Sequence, residues 1–170
     1  MNHSDLMGDV DQYWENHIVQ SLMEYIEIPA KSPAFDQNWE QNGFIEKALN
    51  HVEKWVESRK IEGLKKEIIR APGKTPLLLL ELAGDYDYQV LMYGHLDKQP
   101  EMEGWSEGLA PWKAVRRGEK LYGRGGADDG YALYASLCAV EMLIKNKQAR
   151  PQIKIAIELS EESGSEDLPY

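Results

Sequence analysis

Residues 89–97 read Gln-Val-Leu-Met-Tyr-Gly-His-Leu-Asp, an apolar run that ends in a histidine and an aspartate two positions apart. The apolar part, Val90 to Tyr93, predicts a buried β-strand, and the glycine after it marks the change from strand to loop. Side chains two positions apart in a strand share a face, so Asp97 can hold the ring nitrogen of His95 that does not bind a metal. A solvated strand end is the alternative, and these residues alone do not decide between the two.

Two further motifs stand where the regular pattern changes. Gly123 to Gly130 reads GRGGADDG and precedes a helical pattern, whereas Ser160 to Gly164 reads SEESG and follows the strand pattern Ile153 to Ile157. In open α/β sheets, ligands bind at the carboxyl ends of the strands. We therefore expect one histidine and several carboxylates to meet at one sheet edge. That donor set suits a divalent metal of the zinc type.

The glycine-rich loop 123–130 has two other interpretations. Its glycines could cradle a phosphate, but they fall at 123, 125, 126 and 130, which is not the Gly-x-Gly-x-x-Gly spacing. The Lys-Ser/Thr pair of a P-loop is also missing, and Asp128 and Asp129 would repel a phosphate unless a metal intervened. A plain turn is the second alternative, and Asp129 could cap the following helix in either case.

The pair Glu161-Glu162 ends a strand pattern, so the two side chains should point in different directions. One can then bind a metal while the other holds a water beside it. A like-charged neighbour and partial burial would raise the pKa of that other carboxyl and prepare it as a general base. Acidic pairs are usually solvated, but this strand directs the pair to the same sheet edge as His95.

Hydrophobic periodicity places helices and strands around these motifs. The predicted helices span residues 11–28, 42–61 and 131–146, and the predicted strands span residues 64–70, 76–82, 89–93 and 152–159, with a hairpin of strands 112–115 and 120–122. An ordered loop over the site is predicted for residues 98–111. These elements predict one α/β domain with a largely parallel sheet covered by helices.

The composition limits the classes of function and the cellular compartments that fit this chain. The 170 residues carry a net charge of −10, which argues against nucleic acid or an anionic membrane as a partner. The lone Cys138 cannot form an internal disulfide, and its helical apolar surroundings favour buried packing over catalysis. The polar, acidic start does not resemble a signal peptide, and the apolar runs are too short to span a membrane. We therefore expect a cytoplasmic protein.

The three motifs together resemble those of a known family, the two-zinc aminoacylase, carboxypeptidase and carnosinase-type dipeptidase family of metallopeptidases. The residues that carry the resemblance are, in chain order, Gly94-His95-Leu96-Asp97, Trp105, Leu121 to Gly125, Asp128-Asp129 and Glu161 to Ser165. Many members continue Asp-Asp-Lys-Gly, whereas Gly130-Tyr131 follows here. The resemblance is strong over residues 90–165 and extends to the N-terminal helices in order only.

The resemblance implies a role for each site residue. His95 resembles the ligand of one zinc, Glu162 the ligand of the other, and Asp128 the carboxylate that bridges both. Glu161 resembles the general base that activates the metal-bound water, and Asp97 resembles the partner that orients His95. The resemblance also implies a cis peptide between Asp128 and Asp129. Two zinc ions per complete site are implied, with Mn²⁺ or Co²⁺ as alternatives.

The implied fold is a three-layer α/β sandwich, with a largely parallel mixed sheet and helices on both faces. The implied reaction is hydrolysis of a dipeptide, a short peptide or an N-acyl amino acid. Residues 1–170 would form the N-terminal part of the catalytic domain. The rest of that domain, the remaining ligands and the dimerisation or lid domain would lie beyond Tyr170. The parent enzyme would then be a homodimer, and the chain alone would be inactive.

Two other functions stay open at this point. The chain could be a truncated, non-catalytic remnant of the same fold that acts as a binding or interaction module. It could also be a nucleotide-binding module that uses the glycine loop. Zinc content distinguishes the peptidase from the nucleotide-binding module, and the downstream reading frame distinguishes the peptidase from the remnant.

Overall fold

The computed structural model describes residues 3–168, in which four helices precede five strands, followed by one more helix and one more strand. The helices are α1 (His3–Tyr13), α2 (Val19–Ile26), α3 (Trp39–Asn42), α4 (Phe44–Ser58) and α5 (Tyr131–Lys145). The strands are β1 (Lys65–Ile69), β2 (Leu77–Leu82), β3 (Gln89–His95), β4 (Val115–Arg117), β5 (Lys120–Tyr122) and β6 (Gln152–Glu158). The α/β class predicted from the sequence is confirmed. Within the described range, no helix is both long and apolar enough to cross a membrane.

The N-terminal helical region is longer than the sequence predicted. It begins at His3 rather than near Asp11, and a π-helical segment, Trp14–Ile18, joins α1 to α2. Leu6 and Val10 pack against the core, so the apolar stripe of α2 continues backwards through α1.

The sheet that positions the site has the strand order β1-β2-β6-β3. The inward side chains of β2 and β6 are directly paired and buried, and they are Leu78, Leu80, Leu82, Ile153, Ile155 and Ile157. They form one hydrophobic core with the buried faces of α2, α4 and α5. Burial of each such side chain stabilises the fold by about 1.5–3 kcal/mol, so this face fixes the position of the site-bearing strands β3 and β6.

The expectation of a largely parallel sheet is wrong for the described residues. Only β3 and β6 pair in parallel, whereas β1 with β2 and β2 with β6 are antiparallel. The reason lies in the connections. The short turn at residues 70–76 can only return the chain antiparallel, whereas the path from β3 to β6 contains α5 and permits a parallel crossover.

The expectation of helices on both faces is also not met in residues 3–168. The outward side chains of the sheet include Leu91 and Tyr93, which are 68% and 46% exposed. This face also carries charged residues, since Leu91 lies opposite Lys154 in the parallel register. Because the described helices all contribute to the single core on the other face, this part of the chain forms two layers rather than three.

Candidate metal site

His95 is the last residue of β3 and lies at the carboxyl edge of the sheet, next to the end of β6. His95 pairs with Glu158 in the parallel register, and the imidazole is only 5% exposed. The preceding Gly94 permits close packing here, since a Cβ on it would lie 2.6 Å from the Cβ of Ala132 in α5. The glycine therefore lets α5, which begins just after the Asp128-Asp129 motif, approach β3.

The two ring nitrogens of His95 face different partners. Nδ1 lies 3.1 Å from the backbone oxygen of Asp97 and 3.5 Å from its Oδ1. Nε2 lies 3.4 Å from Oδ1 of Asp128 and 3.5 Å from Oε2 of Glu161. Burial lowers the pKa of His95, but the hydrogen bonds and charge of Asp97, together with the charge of Glu161, outweigh it and raise that pKa to about 9. The surroundings of Nε2 thus favour a positive charge.

Asp97 joins the histidine motif to the glutamate motif. Its fully buried carboxylate accepts the backbone N–H groups of Glu161, at 3.1 Å, and Glu162, at 2.9 Å. The sequence predicted a contact between this carboxylate and the His95 ring. The shorter contact of that ring is to the Asp97 carbonyl oxygen, and the carboxylate mainly holds the turn that carries both glutamates.

The glutamate pair lies in a short 3₁₀ turn, Glu161–Ser163, directly after β6. The Oε2 atom of Glu162 accepts a hydrogen bond from the Gln99 side chain. The Oε1 atom of Glu162 is buried and has no hydrogen-bond partner among the described residues. Burial raises the pKa of Glu162, although Gln99 opposes this effect. The side chain of Glu161 remains 41% exposed, which is suitable for contact with a substrate or water.

The Asp128-Asp129 peptide is cis, as the family resemblance implies. The side chain of Asp128 is 66% exposed and faces Nε2 of His95. Oδ2 of Asp129 accepts the backbone N–H of His95 at 3.3 Å, and burial raises the pKa of Asp129. The expectation that Asp129 caps α5 is wrong, because its carboxylate is directed to β3 instead. The N-cap residue, directly before α5, is Gly130, and no side-chain cap is present there.

The residues that converge here fit a divalent cation. His95, Glu161 and Glu162 each offer one ligand atom, and these atoms lie within 4.8 Å of one another. Asp128 adds a fourth donor beside the imidazole. Buried polar atoms without a partner are rare, so Oε1 of Glu162 calls for a cation or another donor. An imidazole with several carboxylates is a donor set that zinc accepts.

Sequence reasoning missed two contributors to this site. Gln99 orients Glu162, and Asp129 links the Asp128 turn to β3 rather than to α5. No local pattern singles out Gln99, because its contact joins segments 63 positions apart. The adjacent carboxylates at 128 and 129 were visible in the sequence, but their separate directions depend on the backbone between them.

A family profile described as "Peptidase family M20/M25/M40" matches residues 91–168. The Beta-Ala-His dipeptidase of Mus musculus is 30% identical over 96% of this chain and 35% of its own length. The succinyl-diaminopimelate desuccinylase of Novosphingobium aromaticivorans is 53% identical over a shorter region, 28% of this chain and 12% of its own length. The chain thus spans about a third of the length of the dipeptidase that it matches.

Solved structures show the same similarity. Human carnosine dipeptidase 1 superimposes with a TM-score of 0.76 at 26% identity, over 97% of this chain and 36% of that structure. An M20 family metallo-carboxypeptidase from Sulfolobus solfataricus has the same fold, with a TM-score of 0.70 at 24% identity over 88% of this chain and 32% of its own. The matched profile region contains all five predicted site residues.

Proposed function

We propose that the chain belongs to the peptidase family M20/M25/M40 and forms the N-terminal part of the catalytic domain of a zinc-dependent hydrolase, which the family profile and the similar dipeptidases support. Its reaction would be hydrolysis of a peptide or amide bond in a dipeptide, a short peptide or an N-acyl amino acid. The observation that carries this proposal is the convergence of His95, Asp128, Glu161 and Glu162 at one sheet edge.

In this proposal His95 would hold one zinc, Glu162 would hold the other, and Asp128 would serve as a ligand of both. When bound, zinc supplies Lewis acidity, which polarises the scissile carbonyl and acidifies water. Glu161 is the general base, because its carboxylate is accessible and lies beside the proposed ligands. It accepts a proton from the attacking water and returns it to the leaving amine. Asp97 fixes the position of the glutamate turn relative to the His95 ring.

The substrate class follows from what the relatives share. One is named as a dipeptidase for β-Ala-His and another as a desuccinylase for succinyl-diaminopimelate, and both names describe cleavage at an amide bond. We therefore propose an amide of an amino acid as the substrate, and a homodimeric parent enzyme by family resemblance. We also propose a cytoplasmic setting, which the free, buried Cys138 supports, because unpaired thiols are usual in a reducing compartment.

Zinc binding by site variants tests the proposal. Residues 1–170 are stripped with a chelator, dialysed against zinc and assayed for bound metal by atomic emission. Binding should weaken at least about tenfold in His95→Ala and in Glu162→Gln, since each change removes a ligand. Glu103→Gln is the matched control, because it removes an exposed carboxylate outside the site. Equal zinc binding by all four proteins would contradict the proposal.

A second measurement distinguishes the hydrolase from a non-catalytic binding module. The same substitutions are made in the proposed full-length parent enzyme, which is assayed against a panel of dipeptides and N-acyl amino acids. Any turnover should require zinc and should fall at least about a hundredfold in Glu161→Gln, while the zinc content stays unchanged. Turnover that survives this substitution would show that Glu161 is not the base.

A further inference from the structure

Lys98 is a fully buried lysine beside the proposed metal site, and the proposed chemistry does not use it. It follows Asp97 directly, and no carboxylate pairs with it among residues 3–168. Burial lowers the pKa of Lys98 well below its ordinary value. A buried amine without a counter-ion is costly unless hydrogen bonds hold it, so its contacts should have a purpose.

The amine of Lys98 is held at the C-terminal end of α2. It donates to the carbonyl oxygens of Tyr25 at 2.8 Å, Ile26 at 3.2 Å and Ile28 at 2.8 Å. It also lies 4.0 Å from the centroid of the Tyr25 ring. The last carbonyls of a helix lack helical partners and carry its partial negative charge, so a cationic donor is favoured there. Lys98 therefore joins the site loop to α2.

The stem and backbone of Lys98 contact two more segments. A Cβ on Gly125 would lie 2.5 Å from Cε of Lys98, so the glycine turn packs directly on the lysine stem. Gly125 in turn accepts the N–H of Gly130 at 2.8 Å, which closes the turn that contains Asp128. The carbonyl oxygen of Lys98 accepts the N–H of Ser32 at 3.0 Å. One residue thus contacts the end of α2, the segment after it and the turn of the proposed bridging carboxylate.

We propose that Lys98 is a positioning residue that fixes Asp97, on one side, and the turn 125–130, on the other, against the end of α2. Asp97 holds both glutamates by their backbone N–H groups, and the turn carries Asp128. Lys98 thereby sets the separation between the glutamate and Asp128 parts of the site. The consequence for metal binding rests on the proposed function, whereas the positioning itself does not.

Amide hydrogen exchange of the metal-free chain tests the positioning. Lys98→Met keeps an apolar stem and removes all three donors. The amides of Ser32, Gly130, Glu161 and Glu162 should then exchange at least about tenfold faster relative to the amides of α4. Val52→Ala is the matched control for lost stability, because Val52 is buried in α4 away from the site. Lys54→Met is the control for loss of an exposed lysine.

Zinc affinity, measured by competition with a chromophoric chelator, tests the consequence for the site. It should weaken about tenfold or more in Lys98→Met and stay unchanged in both controls. Lys98→Gln keeps an amide donor and should give an intermediate loss. If Lys98→Met does not fold, both measurements are made on Lys98→Gln instead.

Two outcomes would overturn the proposal. The first is uniform acceleration of exchange in Lys98→Met that matches Val52→Ala, since the lysine would then act only through global stability. The second is local acceleration with unchanged zinc affinity in a chain that does bind zinc, since Lys98 would then hold the two segments without setting the separation between the two parts of the site. If the unsubstituted chain binds no zinc, the proposed function fails, and the exchange data alone decide whether Lys98 positions the two segments.

Discussion

The imidazole of His95 is charged more easily than that of an ordinary histidine because carboxylates and a carbonyl surround it. Its folded pKa is raised to about 9, above an ordinary value of 6.5. A group whose pKa rises on folding contributes its full stabilisation at pH values below its pKa in the unfolded chain. This contribution is lost as the pH rises through the folded pKa. The metal-free chain should therefore lose stability between about pH 6.5 and 9.

His95→Gln should abolish this pH dependence. In urea unfolding, the difference in free energy of unfolding between the unsubstituted chain and the variant should shrink by up to about 3 kcal/mol from pH 6.5 to 9. His17→Gln is the control, because His17 is exposed at the helical surface. A difference that stays constant across this window would show that His95 is not stabilised as the imidazolium.

Asp97 should matter through its charge as well as its shape. Asp97→Asn keeps the size but replaces one acceptor oxygen with an amide group that cannot accept the N–H of Glu161 or Glu162. We expect a loss of about 1–3 kcal/mol in unfolding free energy, from an unsatisfied buried donor, and zinc binding about 10–100-fold weaker. Asp87→Asn, at an exposed position, should change neither quantity.

At the residue scale, the motifs predicted side chains that the fold brings together at one sheet edge, but they did not predict the burial of Lys98 beside them. His95, Asp97 and the glutamate pair stand in local motifs whose residue types point to metal binding. Lys98 was assigned only to a loop, because a lysine in a polar segment is normally exposed. Its burial depends on the end of α2, about 70 positions earlier, and no local pattern contains that information.

At the scale of elements, periodicity located most helices and strands, but the direction of strand pairing had to come from the connections. The strand patterns at 76–82, 89–93 and 152–159 match β2, β3 and β6 closely. An apolar run does not reveal whether its neighbour is parallel. The turn at residues 70–76 was visible in the sequence, and its shortness already required an antiparallel β1-β2 pair.

The packing of α5 on β3 depends on the absence of a side chain at position 94. In Gly94→Ala, the added Cβ would lie 2.6 Å from Cβ of Ala132 and 2.9 Å from Oδ2 of Asp129, so α5 must shift. We expect a loss of about 1–3 kcal/mol in unfolding free energy, the usual cost of overpacking. Zinc binding should also weaken, since the same helix follows Asp128.

Gly8→Ala is the matched control for this prediction. Gly8 lies in α1, and a Cβ there would meet nothing within 4 Å. The substitution should raise stability by about 0.5–1 kcal/mol, because alanine favours a helix over glycine. If thermal or urea unfolding showed the same sign of change for both substitutions, close packing at Gly94 would not be the determinant.

At the scale of the whole molecule, the described residues include the proposed base but fewer ligands than the two proposed zinc ions would need. One proposed zinc has His95 and the shared Asp128, and the other has Glu162 and the same Asp128. A catalytic zinc typically has about three protein ligands plus water, so two for each metal should hold neither tightly. Residues 1–170 alone should therefore bind zinc weakly and turn over dipeptides inefficiently.

Zinc stoichiometry and turnover, measured together on the isolated chain, check this expectation. After dialysis against a slight molar excess of zinc, we expect fewer than two bound ions per chain and turnover near background across a dipeptide panel. Addition of a large excess of zinc should raise occupancy without restoring efficient turnover, because mass action fills a weak site but does not supply the ligands that fix its geometry. Near-stoichiometric binding of two zinc ions, with efficient turnover that Glu161→Gln abolishes, would instead mean that these four side chains suffice.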